Sequence, residues 1–242
     1  MIFRQLFDAD SSTWTYLIAD PATQDAALID PVLEQVERDL SLIEELGLRL
    51  TLVLETHIHA DHVTGAGELR ARSGCTVVAS DKGASCVNLH VKHGEEVPLG
   101  GLSFRVLATP GHTDDSVSYL LGDRVFTGDA LLVRTVGRTD FQNGDAGQLY
   151  DSVTKVLFAL PEETRVYPGH DYKGHAVTTI REEMRHNVRI AGRTRDAFIA
   201  LMNGLDLPAP RRLDVAVPAN RACGESLRSP EDLRMESRSR SG

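Results

Sequence analysis

Four apolar runs in this chain each end on a residue that can ligate a metal. "LTLVLET" leads into His57, "FRVLATPG" into His112, "DRVFTG" into Asp129 and "TRVYPG" into His170. Short runs rich in β-branched residues and bounded by glycine or proline read as strands. In a layered α/β domain the loops at strand ends line a common crevice. The four residues are therefore expected to converge although they are far apart in sequence. The stretch "THIHADHVTG" adds His57, His59, Asp61 and His62 within six positions. In an extended segment residues 57 and 59 project from the same side and reach one ion together. Asp61 and His62 then fall on a turn and face a neighbouring position. Imidazole and carboxylate suit zinc, iron or manganese. Glycines before His112, Asp129 and His170 let the backbone turn sharply enough to aim each side chain. His90, His93, His175 and His186 lack this strand-end context and read as surface residues.

The remaining elements fit the same layered plan. "TWTYLIAD" and "DAALIDP" read as strands joined by the turn "PATQ". "PVLEQVERDLSLIEELG" carries Val32, Val36, Leu40, Ile43 and Leu46 at helical spacing and stops at Gly47. "LRLTLVLET" is nearly continuous in apolar residues, as a strand buried on both faces would be. "GAGELRARSG" reads as a short helix closed by Gly74, and "CTVVAS" as a strand. "EEVPLGGLSFRVLATPGHT" reads as two strands around "LGG", and "DSVSYLLGDRVFTGDAL" as a hairpin turning at "GD". "GQLYDSVTKVLFALP" is amphipathic, with Leu149, Val153, Val156 and Leu157 on one face. "AVTTIREEMRHNVRI" and "RDAFIALMNGL" look helical. From Glu225 the chain becomes serine-rich and charged, which marks a disordered tail or linker over 225–242 after one domain over 1–224. The class is α/β.

Composition narrows the partners. With 242 residues and 41% hydrophobic content, one sizeable domain is expected. A formal net charge of -9 argues against nucleic acid. No stretch of 18 apolar residues predicts a membrane span. No signal or transit pattern opens the sequence, so a cytoplasmic, bacterial-type location is expected. Cys75, Cys86 and Cys223 are odd in number and widely spaced, which favours reduced thiols over a disulfide framework. A Walker loop, a dinucleotide-binding glycine fingerprint and a G-x-S-x-G elbow are all absent.

"HIHADH", "PGHT", "TGDAL" and "YPGHD" together resemble the metallo-β-lactamase superfamily, over about residues 10–224. That resemblance implies an αββα sandwich: two mixed β-sheets flanked by helices, with metal held at one edge. "STWTYLIAD", "ALIDPVLEQVERD", "HADHVTGAGELR", "FTGDALLVRTVGRTDFQ", "YPGHDYKG" and "VPANRACG" are similar to its persulfide dioxygenase branch. This branch is also called the sulfur dioxygenase or ethylmalonic encephalopathy protein family. "GRTDFQ" and "VPAN…CG" are its most specific segments.

The resemblance implies one Fe(II) per chain, held by His57, His112 and Asp129. Two imidazoles and one carboxylate on one face leave positions open. Glutathione persulfide and O2 would be the substrates, both oxygen atoms ending on the outer sulfur, with sulfite and glutathione as products. His59, Asp61, His62 and His170 would orient the ligands through hydrogen bonds, and Tyr172 and Asp61 are the candidate catalytic side chains. Arg138 is expected to bind a glutathione carboxylate as a fork, helped by Tyr172, Lys173 and Thr113. For Arg138 a salt bridge with Asp140 is the plainer alternative. Thr127 would support the loop of Asp129. The resemblance also implies a dimer or higher oligomer and a functional link to a sulfurtransferase of the rhodanese kind.

Two other functions stay open. A two-zinc hydroxyacylglutathione hydrolase would use Asp129 as a bridge between ions held by His57, His59 and His112 on one side and Asp61, His62 and His170 on the other. "GRTDFQ" and the short region after His170 argue against it. A metal-dependent scaffold without catalysis is the third.

Overall fold

Period-two alternation of apolar residues explains why two sheets stack here. The computed structural model describes residues 1–210 and 212–224. One sheet contains β1 (Ile2–Asp8), β2 (Thr13–Ala19), β3 (Asp25–Ile29), β4 (Arg49–Leu54), β5 (Thr76–Ser80) and β6 (Leu89–Val91), in that spatial order. The other runs β12-β11-β10-β9-β8-β7: Thr178–Thr179, Arg165–Pro168, Arg124–Gly128, Val117–Leu121, Leu102–Ala108 and Glu96–Leu99. Both are mixed. The first changes from antiparallel to parallel pairing at β3–β4, and the second contains one parallel pair, β10–β11.

Tyr16 and Ile18 of β2 point between the sheets, while Leu17 and Ala19 point outward. Strand β4 does the same, with Leu52 and Leu54 inward and Val53 outward, so it is buried on both faces as expected. Phe104, Tyr119, Phe126 and Tyr167 of the second sheet complete the inner layer. The outer face of the first sheet is covered by α1 (Val36–Glu45) and α2 (Ala66–Ser73), through Val36, Ile43 and Leu69. The second sheet is covered by α3 (Ala146–Asp151), α4 (Ile180–His186) and α5 (Arg195–Asn203), through Leu149, Ile180, Phe198 and Met202. The result is the expected αββα sandwich. A sixth helix, α6 (Leu213–Asn220), lies against the loop that follows β4, through Ala216, Ala219 and Val63.

Local chemistry sets several boundaries. Asp145 caps α3 by accepting from the Gln148 amide. That helix widens into a π-type turn over Ser152–Leu157, where the Ser152 hydroxyl donates to the Pro110 carbonyl at 2.7 Å. The expected face of Leu149, Val153 and Leu157 is fully buried, with Val156 at its margin. The helix expected over "AVTTIREEMRHNVRI" is shorter. Thr178 and Thr179 pair with β11, Thr179 caps α4 from outside, and Asn187 ends it in extended backbone. Strands β1, β6 and β12 were not evident from pattern.

One expectation about cysteine is overturned. Cys86 and Cys223 form a disulfide with a Cα separation of 6.0 Å, leaving only Cys75 free among the three. Spacing could not reveal it, because 137 positions separate the pair and only the docking of α6 brings them together. The tail expected over 225–242 lies outside the described residues. Among the described residues no helix is long and apolar enough to cross a membrane.

Candidate metal centre

The four strand ends do converge. β4 delivers His57 after Glu55 and Thr56. β8 delivers His112 after "TPG", β10 delivers Asp129 directly, and β11 delivers His170 after Gly169. One ligand atom each from His57, His112 and Asp129 lies within 4.8 Å of the others. Two glycines in these turns adopt left-handed backbone: Gly111 at φ +133° and Gly128 at φ +50°. A Cβ on Gly111 would collide with the Leu149 backbone, and one on Gly128 would lie 2.5 Å from Thr56 Oγ1. Gly169 is there for a different reason. Its Cβ would lie 2.8 Å from Asp129 Oδ1, so the residue permits close approach rather than a special turn.

Hydrogen bonds settle which nitrogen each histidine presents. His112 Nδ1 donates to the Arg138 carbonyl at 2.7 Å, which leaves the Nε2 lone pair for a metal. On the other side a relay does the same work. The Thr56 hydroxyl donates to Asp30 Oδ2 at 2.7 Å, so it accepts from His57 Nδ1 at 2.9 Å. Asp30 is fixed in turn by the Thr56 amide, which donates to its Oδ1 at 2.7 Å. His57 is kept neutral: burial, reinforced by His59 and His112, holds its pKa well below the ordinary value. Both imidazoles thus offer Nε2, and His112 Nε2 lies 3.6 Å from Asp129 Oδ2. Two neutral nitrogens beside a carboxylate fit a divalent ion.

The other carboxylate oxygen is taken. His170 Nδ1 donates to Asp129 Oδ1 at 2.7 Å, and its Nε2 donates to Asp61 Oδ2 at 2.7 Å. Burial disfavours charge on His170, yet the two carboxylates outweigh it and hold its pKa well above the ordinary value. Asp61 Oδ2 also receives His62 Nδ1 at 2.8 Å and the Thr13 hydroxyl at 3.1 Å. The same imidazolium helps hold Asp129 ionised against its burial. Thr127 donates to the Leu131 carbonyl at 2.6 Å, supporting the loop of Asp129 as expected.

His57 and His59 do not reach for one ion together. Their rings adjoin, with centroids 4.1 Å apart, but strand pairing stops near Glu55, and the chain turns before residue 59. His59 Nε2 lies 3.2 Å from Asp30 Oδ1, both of its ring nitrogens are buried without a hydrogen-bond partner, and its ligand atoms group either with Asp61 and His62 or with Asp30 and Glu55. His62 Nε2 is buried without a hydrogen-bond partner.

The residues assigned to substrate are placed unevenly. Tyr172 is 71% exposed, its ring parallel to that of His170 with centroids 6.1 Å apart. The Lys173 side chain is exposed. Thr113 is buried, and its hydroxyl pairs with Ser116 at 2.6 Å, so it serves the loop of His112. Arg138 makes four hydrogen bonds, two to Asp140 and one each to the Leu207 and Pro208 carbonyls. Its guanidinium also lies 4.5 Å from the centre of the Phe141 ring. One of its five N–H groups remains. His90, His93, His175 and His186 are all exposed.

Sequence reasoning missed Asp30, Thr56, Thr13 and Asn220. Asp30 carried a signal, since "AALID" is another apolar run ending on a carboxylate. Asn220 lies in "VPAN…CG", which marks the family resemblance but not this role: its amide donates to the His59 and His62 carbonyls at 2.9 and 2.8 Å, across a gap of about 160 residues that only folding closes.

Comparison with known proteins identifies the family. The family model described as "Metallo-beta-lactamase superfamily" matches residues 9–85 and 87–170. The chain belongs to that superfamily. Within it, the chain groups with the persulfide dioxygenases, an oxidoreductase class. It is 45% identical over 227 residues to mouse persulfide dioxygenase ETHE1, mitochondrial, covering 93% of this chain and 89% of that protein. The human protein of the same name gives the same identity and coverage. The crystal structure of ETHE1 from Myxococcus xanthus superposes with a TM-score of 0.92 at 68% identity, covering 93% of this chain and all of that one.

Proposed function

We propose that this chain is a glutathione-dependent persulfide dioxygenase that binds one Fe(II) through His57, His112 and Asp129. The carrying observation is that His57, His112 and Asp129 bring one ligand atom each within 4.8 Å of the others, with both imidazoles held by Nδ1 so that Nε2 is offered. Relatives named persulfide dioxygenase support the reaction class. Iron held from one side supplies the electron exchange with O2 that redox-inert zinc cannot.

The chain's own residues bind and orient. The Arg138 carbonyl and the Thr56–Asp30 relay hold the two imidazoles in one tautomer. His170 holds Asp129 ionised and fixes which of its oxygens is free. Tyr172 and Lys173, exposed beside His170, are suited to a polar, anionic tripeptide arriving from solvent. In the net reaction the outer sulfur of glutathione persulfide takes both atoms of O2, and water supplies the third oxygen of sulfite and the proton of glutathione.

The deciding experiment is a metal count after anaerobic purification, together with O2 uptake on glutathione persulfide. One iron per chain with O2 consumed and sulfite formed is the expected result. Two zinc ions per chain, with S-lactoylglutathione hydrolysed and no O2 consumed, would replace this reading with the hydrolase.

A further inference from the structure

The Cys86–Cys223 cystine closes a clamp on the loop that follows His57. Cys86 lies between β5 and β6, and Cys223 lies just past the end of α6. The clamp grips through Asn220. Its side-chain amide donates to the His59 and His62 carbonyls, and its oxygen accepts from the Thr64 amide at 2.8 Å. The Cys223 carbonyl accepts from the Gly67 amide at 2.9 Å, tying the same corner to the start of α2.

Among the described residues, few other contacts secure this helix. Its buried apolar footing is Ala216 and Ala219 against Val63, with Leu33 at the edge. Its flanking ion pair, Arg212 with Glu34, joins two exposed side chains. Two alanines bury far less surface than the leucine and phenylalanine faces that dock the other helices. Cys223 also sits in left-handed backbone at φ +55°, a conformation a non-glycine residue keeps only when its surroundings impose it. The covalent tether is therefore a main part of what keeps Asn220 on the metal loop.

The two sulfurs differ in access. Cys223 is 2% exposed, whereas Cys86 is only half-buried, so Cys86 is the half of the cystine nearer solvent. Cys223 lines a small pocket shared with His57, Thr64 and Asn220. Cys75 is buried and unpaired, and burial raises its thiol pKa, which makes it an inert internal reference.

We propose that Cys86–Cys223 is a thiol–disulfide exchange site, reduced by a low-molecular-weight thiol, and that its reduction loosens the α6 clamp and weakens metal retention. The thiolate attacks Cys86 Sγ, and the S–S bond breaks with Cys223 leaving as a thiolate that carries the electron pair. A second thiolate attacks the outer sulfur of the mixed disulfide and releases Cys86. Two small thiols are oxidised to one disulfide. The cystine gains two electrons, and the two protons pass to the new cysteine thiols. The inference does not depend on which metal the site holds.

The test uses the whole chain, equilibrated in mixtures of reduced and oxidised glutathione. Free thiols are counted by alkylation and mass spectrometry, backbone protection by hydrogen exchange with and without metal, and metal loss by release to a chelator. The expected result is one free thiol in oxidising mixtures and three in reducing ones. On reduction, protection of the Thr64 and Gly67 amides should fall at least roughly tenfold, and metal release should quicken. Reoxidation should reverse both changes. Cys86→Ser should behave as permanently reduced and ignore the redox mixture, while Cys75→Ser should keep the full response. Should Cys86→Ser fold poorly, reduction of the native chain supplies the same comparison. Equal protection and equal metal release in both states would overturn the proposal, as would three free thiols under excess oxidised glutathione. Loss of protection throughout β4 and β10 on reduction would also overturn it, since the cystine would then be a global staple.

Discussion

His170 stands against Asp129 with Nδ1 2.7 Å from Oδ1, and the free Asp129 oxygen is thereby the one turned toward His112. This relationship ranks two substitutions. Asp129→Ala removes the only carboxylate of the ligand set and is expected to abolish stoichiometric metal binding. His170→Ala keeps all three ligands but frees the carboxylate to rotate, so metal should still bind, roughly 10- to 100-fold more weakly. Competition against a chelator measures both. Equal losses in the two variants would mean that His170 is itself a ligand.

Thr56 connects Asp30 to His57, and valine has nearly its shape without its hydroxyl. Thr56→Val leaves the His57 Nδ1 proton and one Asp30 oxygen unpaired in the interior. The expected loss of stability is about 1–3 kcal/mol, read from urea unfolding of the metal-free chain. Metal affinity should drop as well, because the unwanted tautomer of His57 becomes accessible. Thr56→Ser, which retains the hydroxyl, should restore most of both. An unaltered affinity in Thr56→Val would remove the relay from metal binding.

Arg138 is already paired with Asp140 and with two backbone carbonyls. Arg138→Ala should therefore raise KM for glutathione persulfide more than it lowers kcat, yet by less than the loss of a buried charged contact, which costs about 2 kcal/mol or more, roughly 30-fold. Metal content should be unchanged, since His112 is held by the backbone carbonyl at 138 rather than by the side chain. A KM increase beyond roughly 30-fold would return Arg138 to direct contact with a carboxylate.

Asp39 gives a pH signature remote from the metal. It is fully buried in α1, one of its oxygens has no partner, and burial pushes its pKa up to about 6 against the pull of Arg38. The folded chain thus binds more protons than the unfolded one between about pH 4 and 6, so stability declines as pH rises through that window. Asp39→Asn should stabilise the protein by about 1–3 kcal/mol at pH 8 and give no gain near pH 4. Urea midpoints at those two pH values decide it, and a gain at both would point to packing instead of charge.

Much of the architecture was legible because its signals are local. The apolar runs over 49–54, 102–108, 117–121 and 124–128 all became strands, and Gly74 ends α2 at φ +74°. Strand β1 escaped notice because only its last residue is fully buried and its alternation is weak. The helix over 180–186 was overestimated because Thr178 and Thr179 found a better partner in β11 than in a further turn. His59 was assigned to the side of His57 by strand periodicity, but that rule lapses where pairing ends.

From sequence alone came the candidate ligand residues, their attachment to strand ends and the layered class, because strand formation and glycine turns depend on neighbours in the chain. Tertiary structure decided which nitrogen each histidine offers, that His170 and Asp61 consume each other, that Arg138 is already paired, and that Cys86 meets Cys223. Each of these is set by groups brought within hydrogen-bonding or bonding distance across tens to more than a hundred residues. No local pattern encodes such distances, since they follow from how the sheets and helices pack.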